Sequence, residues 1–277
     1  MPRLPVQRNS GLSGKAGRVP ILMYHQVTPR PLPSYRKYAL TPQAFAAQMQ
    51  WLALAGHHPI TLDQFLAARR GQAVLPRRAV VITFDDGYQD LLPHAVPVLQ
   101  AHGFPAIFYL VAGLMGQTTA WMAGSGLALA LPLMDWAGAR GLAAAGIQCG
   151  GHSLSHPRLA ELDPAASRRE LLESRLRLED RLGTAVPHLA YPYGSYNESV
   201  RNQAAECGYE TACSVRIGLS DAGDDLLALH RVPISGKETL LDFISRLYTA
   251  RPLREAMQGL AARSRGAVAT GAGAPPG

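Results

Sequence analysis

The chain has 277 residues, of which 47% are hydrophobic and 17% charged, enough apolar material for one large α/β domain or two small ones. Its formal net charge of +7 is concentrated ahead of the first acid, Asp63, in Arg3, Arg8, Lys15, Arg18, Arg30, Arg36 and Lys37. Three cysteines without a C-x-x-C argue against a disulfide framework, and no run approaches the roughly 20 apolar residues that span a bilayer.

Residues 1–18 read as a disordered basic arm. Such an arm can touch phosphate, anionic lipid or an acidic partner, but it lacks the interleaved aromatics of a nucleic-acid module. With no apolar stretch of a secretory leader, the expected location is cytoplasmic, with the arm as a means of peripheral membrane contact. The first strand is expected over 19–25 and ends in His25. A helix follows from Thr41-Pro42, cap and first-turn proline, and stops at Gly56. Further strands are expected over 79–86, 105–111, 147–152, 189–193, 211–215 and 228–234. Helices are expected over 136–145, from Asp163-Pro164 to Gly183, over 197–207, and over 240–247 ahead of Pro252. Residues 112–133, rich in glycine and then apolar, break the alternation and read as a loop over a cleft or a small extra helix, in preference to a membrane-contacting patch. Residues 264–277 read as a disordered tail. Alternation of this length predicts parallel strands, as an open sheet or a barrel, whose chemistry gathers at the strand C-terminal ends.

Four of those ends carry reactive groups. Thr83-Phe84-Asp85-Asp86-Gly87 sets two carboxylates where a buried strand stops. Adjacent buried charges are costly unless a cation or chemistry absorbs them, although Asp-Asp-Gly is also an ordinary turn. Gly87 would let the chain leave the pleat there. His152-Ser153-Leu154-Ser155-His156 offers two imidazoles four residues apart, which on a helical turn share one side; they are either a surface pair or metal ligands. With Asp86 they would make a three-point site with open positions. Tyr191-Pro192-Tyr193-Gly194 breaks an apolar strand and is either a simple turn or a cleft wall with backbone N–H groups for an oxyanion. The fourth is His25.

These strings, in this order, resemble the polysaccharide deacetylases of the NodB-homology group, carbohydrate esterase family 4, over most of 19–234. The resemblance implies a distorted (β/α) barrel of about seven parallel strands, with a catalytic domain over 19–263. It implies a divalent metal, zinc or else cobalt, nickel or iron, on Asp86, His152 and His156, with Asp85 as general base. Tyr191, Pro192 and Tyr193 would form the substrate and oxyanion wall. Two departures stand out. The late strand Leu229-His230-Arg231 fits the family's usual acid histidine poorly, whereas Leu22-Met23-Tyr24-His25 resembles the permuted branch of poly-β-1,6-N-acetylglucosamine deacetylases, so His25 is the expected acid. Ala190 stands where the family often has the arginine that pairs with the base, and Arg231 is the expected substitute. The implied reaction is removal of N-acetyl groups from N-acetylhexosamine units of a polysaccharide, oligosaccharide or glycan precursor. The alternatives are deacetylation or deformylation of a lipid-linked or small amide, and a catalytically silent carbohydrate-binding module.

Overall fold

The computed structural model of the protein describes residues 18–123 and 129–258. The basic arm up to residue 17, residues 124–128 and the expected tail lie outside the described residues. The first half contains β1 (Ile21–Tyr24), β2 (Gln26–Val27), β3 (Ala39–Leu40), α1 (Pro42–Leu54), β4 (His58–Pro59), α2 (Leu62–Arg69) and β5 (Ala79–Phe84). Then come α3 (Leu91–His94), α4 (Val96–His102), β6 (Ile107–Leu110), α5 (Trp136–Ala144), β7 (Gln148–Gly151) and α6 (Pro164–Leu182). Then follow β8 (His188–Ala190), α7 (Glu198–Glu206), β9 (Thr211–Ile217), β10 (Leu229–Pro233) and α8 (Leu240–Thr249).

Seven strands close into a parallel barrel in the order β1-β5-β6-β7-β8-β9-β10, and β1 joins the ring by pairing with both β5 and β10. This is the expected (β/α) barrel. The helix starts follow their caps: Thr41, Asp135, Asp163 and Asn197 each accept a hydrogen bond from a first-turn N–H. Residues along each strand alternate between two cores. Ile21, Val81, Ile107, Tyr109, Cys213 and Leu229 fill the barrel, while Leu22, Tyr24, Ile82, Phe84 and Phe108 pack outward beneath the helices.

Several features were not anticipated, among them α3 and α4, which fall where no helix was expected. β4 lays a two-residue strand along the start of β5, and β2 and β3 form a separate parallel pair. α2 places Leu62 and Phe65 in the inner core, closing the barrel's lower end. Its signature was present, since Thr61 and Gln64 form a capping box, but only eight residues follow. Opposite β10, β9 carries a bulge: Leu229 pairs with Cys213 but Arg231 pairs with Ile217. A bulge re-aims a side chain next to a rim, and here it lies beside Arg231.

Candidate active site

Asp85 and Asp86 emerge where β5 ends. Val81 and Thr83 precede Asp85 on the inner face, and its N–H is held by the carbonyl of Tyr24 at 2.9 Å. Asp86 then takes a left-handed conformation, φ 72°, followed by Gly87 at φ 75°. The break from the pleat therefore begins at Asp86 itself and not at the glycine alone. Two adjacent carboxylates thereby reach one site from a strand whose neighbours otherwise point to opposite faces.

His152 follows β7. His152 and His156 do not share a helical turn: the segment between them is a loop with positive φ at Ser153 (61°) and His156 (66°). The loop is held from within by Ser153 Oγ, which accepts the His156 N–H at 2.9 Å. It is held from outside by Glu170 of α6, whose carboxylate accepts the N–H of Leu154, the N–H of Ser155 and the Ser155 hydroxyl at 2.7–2.9 Å. The Nε2 atoms of His152 and His156 lie 3.3 and 3.2 Å from Asp86 Oδ1. All three residues are buried, and their ligand atoms fall within 4.8 Å of one another.

The donor set fits a divalent cation. His152 Nδ1 lies 2.7 Å from the Ala190 carbonyl, an acceptor, so Nδ1 carries the proton and neutral Nε2 turns a lone pair toward the carboxylate. Two facing lone pairs need a cation or a proton between them. A carboxylate with two imidazoles is a common set for zinc and other transition metals. Burial pushes Asp86 up, but where protons rather than a cation sit on the two Nε2 atoms, their hydrogen bonds to the carboxylate outweigh it and hold the carboxyl well below its ordinary range.

Arg231 meets Asp85 in a two-pronged pair: Nη1 and Nη2 each lie 2.7 Å from a different carboxylate oxygen. Nε donates to the Ser214 carbonyl at 2.8 Å, on the bulged strand, and Nη1 also reaches Thr83 Oγ1 at 3.3 Å. Burial raises the pKa of Asp85, and the charge and hydrogen bonds of Arg231 more than reverse it, so the group is held ionised. Arg231 thus pairs with Asp85 as expected where Ala190 offers no cation. Ala190 contributes only its carbonyl, to His152.

His25 closes β1 within electrostatic reach of Asp86, Asp85, Arg231 and His152, with its ring 5.0 Å from that of Tyr38. Burial lowers its pKa against the pull of both aspartates. His230, the other candidate, neighbours Arg231 on the opposite face and pairs through Nδ1 with Asp224 at 3.0 Å. Tyr193 sits at φ 57° in the turn Pro192–Gly194, half exposed, with its ring edge-on to His156 at 4.6 Å and the Arg158 guanidinium 4.5 Å above it. Pro192 is buried at the start of that turn. Tyr191 does not join the site: its side chain is fully buried, stacks on Tyr196 at 4.8 Å and donates to the Leu227 carbonyl at 2.9 Å.

Sequence reading missed four contributors. Trp121, in the excursion over 112–133, stacks on His156 with ring centroids 4.2 Å apart, so that segment does reach over the site. Tyr88 donates to Asp86 Oδ2 at 2.8 Å, and Tyr35 lies 2.5 Å from the Tyr88 oxygen. Glu170 is the fourth. Tyr88 stands two residues beyond Asp86 and could have been suspected from that; the others carry no local signal.

A family model described as polysaccharide deacetylase matches residues 72–212. Over 225 residues the chain is 26% identical to YxkH of Bacillus subtilis (strain 168), whose name places it among polysaccharide deacetylases; the match covers 80% of this chain and 73% of that protein. It is 27% identical to the poly-β-1,6-N-acetyl-D-glucosamine N-deacetylase of Escherichia coli (strain K12) over 75% of this chain, but only 35% of that longer protein is spanned. Among solved structures, the Streptococcus pyogenes deacetylase PplD in complex with acetate superposes with a TM-score of 0.74 at 23% identity, covering 86% of this chain and all of that one. IcaB from Ammonifex degensii gives 0.67 at 24% identity, covering 80% and 94%. These two likenesses support the barrel fold.

Proposed function

Because the chain belongs to the polysaccharide deacetylase family, we propose that it is a hydrolase that removes N-acetyl groups from N-acetylhexosamine units of a polysaccharide or oligosaccharide. The observation that carries this reading is the adjacency of a three-ligand metal group, Asp86, His152 and His156, to a carboxylate held ionised by Arg231.

A divalent cation on those three residues, zinc being the first choice for the set, would supply Lewis-acid chemistry, polarising a carbonyl and acidifying a water. Asp85 takes the proton of the attacking water. Arg231 occupies one lone pair on each of its oxygens and leaves the other free to accept. The water oxygen adds to the acetyl carbon, the C–N bond breaks, and the amine leaves with a proton from the protonated form of His25, which both aspartates favour against burial. Acetate and a free amino sugar result. The Tyr193 N–H, turned by its positive φ, is the candidate donor to the oxyanion. Trp121 and Tyr193 flank His156 and offer aromatic surface to a sugar ring.

The E. coli relative's name makes a β-1,6-linked N-acetylglucosamine chain the first substrate to try. Among the described residues no helix is long and apolar enough to cross a membrane. Peripheral contact through the basic arm is a further part of the proposal and would be read by vesicle sedimentation. The deciding experiment is mass-spectrometric screening for an acetyl loss of about 42 Da (one C2H2O) across N-acetylated mono-, oligo- and lipid-linked saccharides, with Asp85→Asn as control. Release from oligosaccharides, abolished in Asp85→Asn, supports the reading. Release only from lipid-linked or small amides redirects it, and bound metal with no release from any amide makes the chain a binding module.

A further inference from the structure

Asp86 has two carboxylate oxygens with different surroundings. Oδ1 faces the Nε2 atoms of His152 and His156 at 3.3 and 3.2 Å. Oδ2 accepts the hydroxyl of Tyr88 at 2.8 Å. An ionised carboxylate has no hydrogen to give, so the single phenolic proton of Tyr88 points at Asp86. The oxygen of Tyr88 is then free only to accept. Tyr35, 2.5 Å away, must therefore be the donor in the pair of phenols, although that contact taken alone leaves the direction open. The result is a one-way chain in which Tyr35 donates to the Tyr88 oxygen and Tyr88 donates to Asp86 Oδ2.

The two phenols come from separate places and are buried, at 0% and 3% exposure for Tyr88 and Tyr35. Tyr35 ends the short 3-10 turn Pro33–Tyr35 between β2 and β3. Its ring meets Tyr88 edge-on at 6.2 Å and lies 5.1 Å from Tyr38, which in turn abuts His25. A buried phenol with a satisfied hydroxyl is also what a packed core needs. The two-step, single-direction chain ending on a candidate ligand goes beyond packing.

Resting on the reading of Asp86, His152 and His156 as a metal group, we propose that Tyr88 and Tyr35 are positioning residues that occupy Asp86 Oδ2, restrict the carboxylate to Oδ1 toward the cation, and thereby set how tightly the cation is held. Partners one step behind metal ligands typically change metal affinity by about 10- to 100-fold when removed. Consecutive hydrogen bonds pointing the same way strengthen one another, so removing Tyr35 acts in the same direction with a smaller effect.

The test is metal binding, read without turnover. Zn2+ affinity is measured by competition with a chromogenic chelator for wild type, Tyr88→Phe, Tyr35→Phe and Asp86→Ala, with melting of the metal-free proteins as the check on folding. Co2+ absorption is recorded in parallel. Tyr88→Phe is expected to bind Zn2+ about 10- to 100-fold more weakly. It should also show a weaker visible Co2+ band, because a freed Oδ2 raises the coordination number. Tyr35→Phe is expected to lose less. Wild-type affinity and an unchanged Co2+ spectrum in Tyr88→Phe overturn the proposal. Should that variant not fold, wild-type affinity in Tyr35→Phe overturns it instead. Absence of Zn2+ binding by wild type sinks the metal reading itself, an outcome distinct from equal binding by wild type and Tyr88→Phe.

Discussion

Arg231 and Asp85 stand 146 positions apart in sequence, yet each oxygen of the carboxylate lies 2.7 Å from a different guanidinium nitrogen, with the arginine wholly buried. Buried ion pairs persist when the remaining donors are also satisfied, and here Ser214 and Thr83 take them. The pair keeps Asp85 ionised inside a barrel that would otherwise protonate it.

Replacing Arg231 with Met leaves a buried carboxylate without its cation. A broken buried pair of this kind costs about 3–5 kcal/mol of stability. The folded pKa of Asp85 is depressed, so the pair's contribution is present above the unfolded carboxylate pKa and is lost as pH falls through the folded value. In Arg231→Met the Asp85 pKa rises, and the acid limb of the pH–rate profile moves to higher pH. Metal content by elemental analysis should be unchanged while kcat falls at least about 100-fold. Wild-type kinetics would remove Arg231 from the mechanism.

His25 and His230 separate cleanly. His25→Ala is expected to lower kcat by about 10²–10⁴-fold with metal retained, as loss of a general acid does. His230→Ala breaks only the contact with Asp224 and should leave kcat near wild type. Equal losses in both would reopen the choice of acid.

Glu170 gathers three hydrogen bonds from the loop that carries both histidines. Hydrogen bonds to a charged group contribute about 1.5–3 kcal/mol each. Glu170→Ala should therefore loosen the loop, and after dialysis against limiting zinc the variant should hold markedly less metal than wild type. Full occupancy would confine Glu170 to helix packing.

Asp90 gives a signed pH effect on stability. Burial pushes it up to about 6 from an ordinary 3.8, despite hydrogen bonds from Gln26 and Thr28. Between those values the native state binds more protons than the unfolded chain, so this group's contribution falls as pH rises through the window. Asp90→Asn keeps an acceptor for Gln26 and cannot ionise. Its melting temperature should exceed wild type at pH 7.5, by no more than about 3 kcal/mol in stability, and the gain should vanish near pH 3.5. A difference independent of pH would refute the assignment.

The strands of the barrel were legible because they are short apolar runs, four of them closed by reactive groups, and the capped helices because Thr41, Asp163 and Asn197 announce them. The short α2, α3 and α4 and the two-residue strands were not, since eight residues or fewer carry too little periodicity to register. The loaded strand ends exposed Asp85, Asp86, His152, His156 and His25 as candidates. The loop geometry of the two histidines was misread, because spacing of four suggests a helix and positive φ at Ser153 and His156 leaves no mark in composition. Tyr191 was drawn in by Tyr193 two residues on, since alternation would put both on one face, but the strand ends at Ala190 and the turn Pro192–Gly194, with Tyr193 at φ 57°, parts them. Glu170, Trp121 and Tyr35 reach the site only through tertiary packing.

Closing the ring between β10 and β1 has a consequence for how the chain acquires its shape. Until β10 docks, Asp85 has no cation, so a nearly complete barrel with six strands in place carries an uncompensated acid in its interior. Any arrangement without β10 is thereby raised in energy, so closing the barrel and arming the carboxylate are one event.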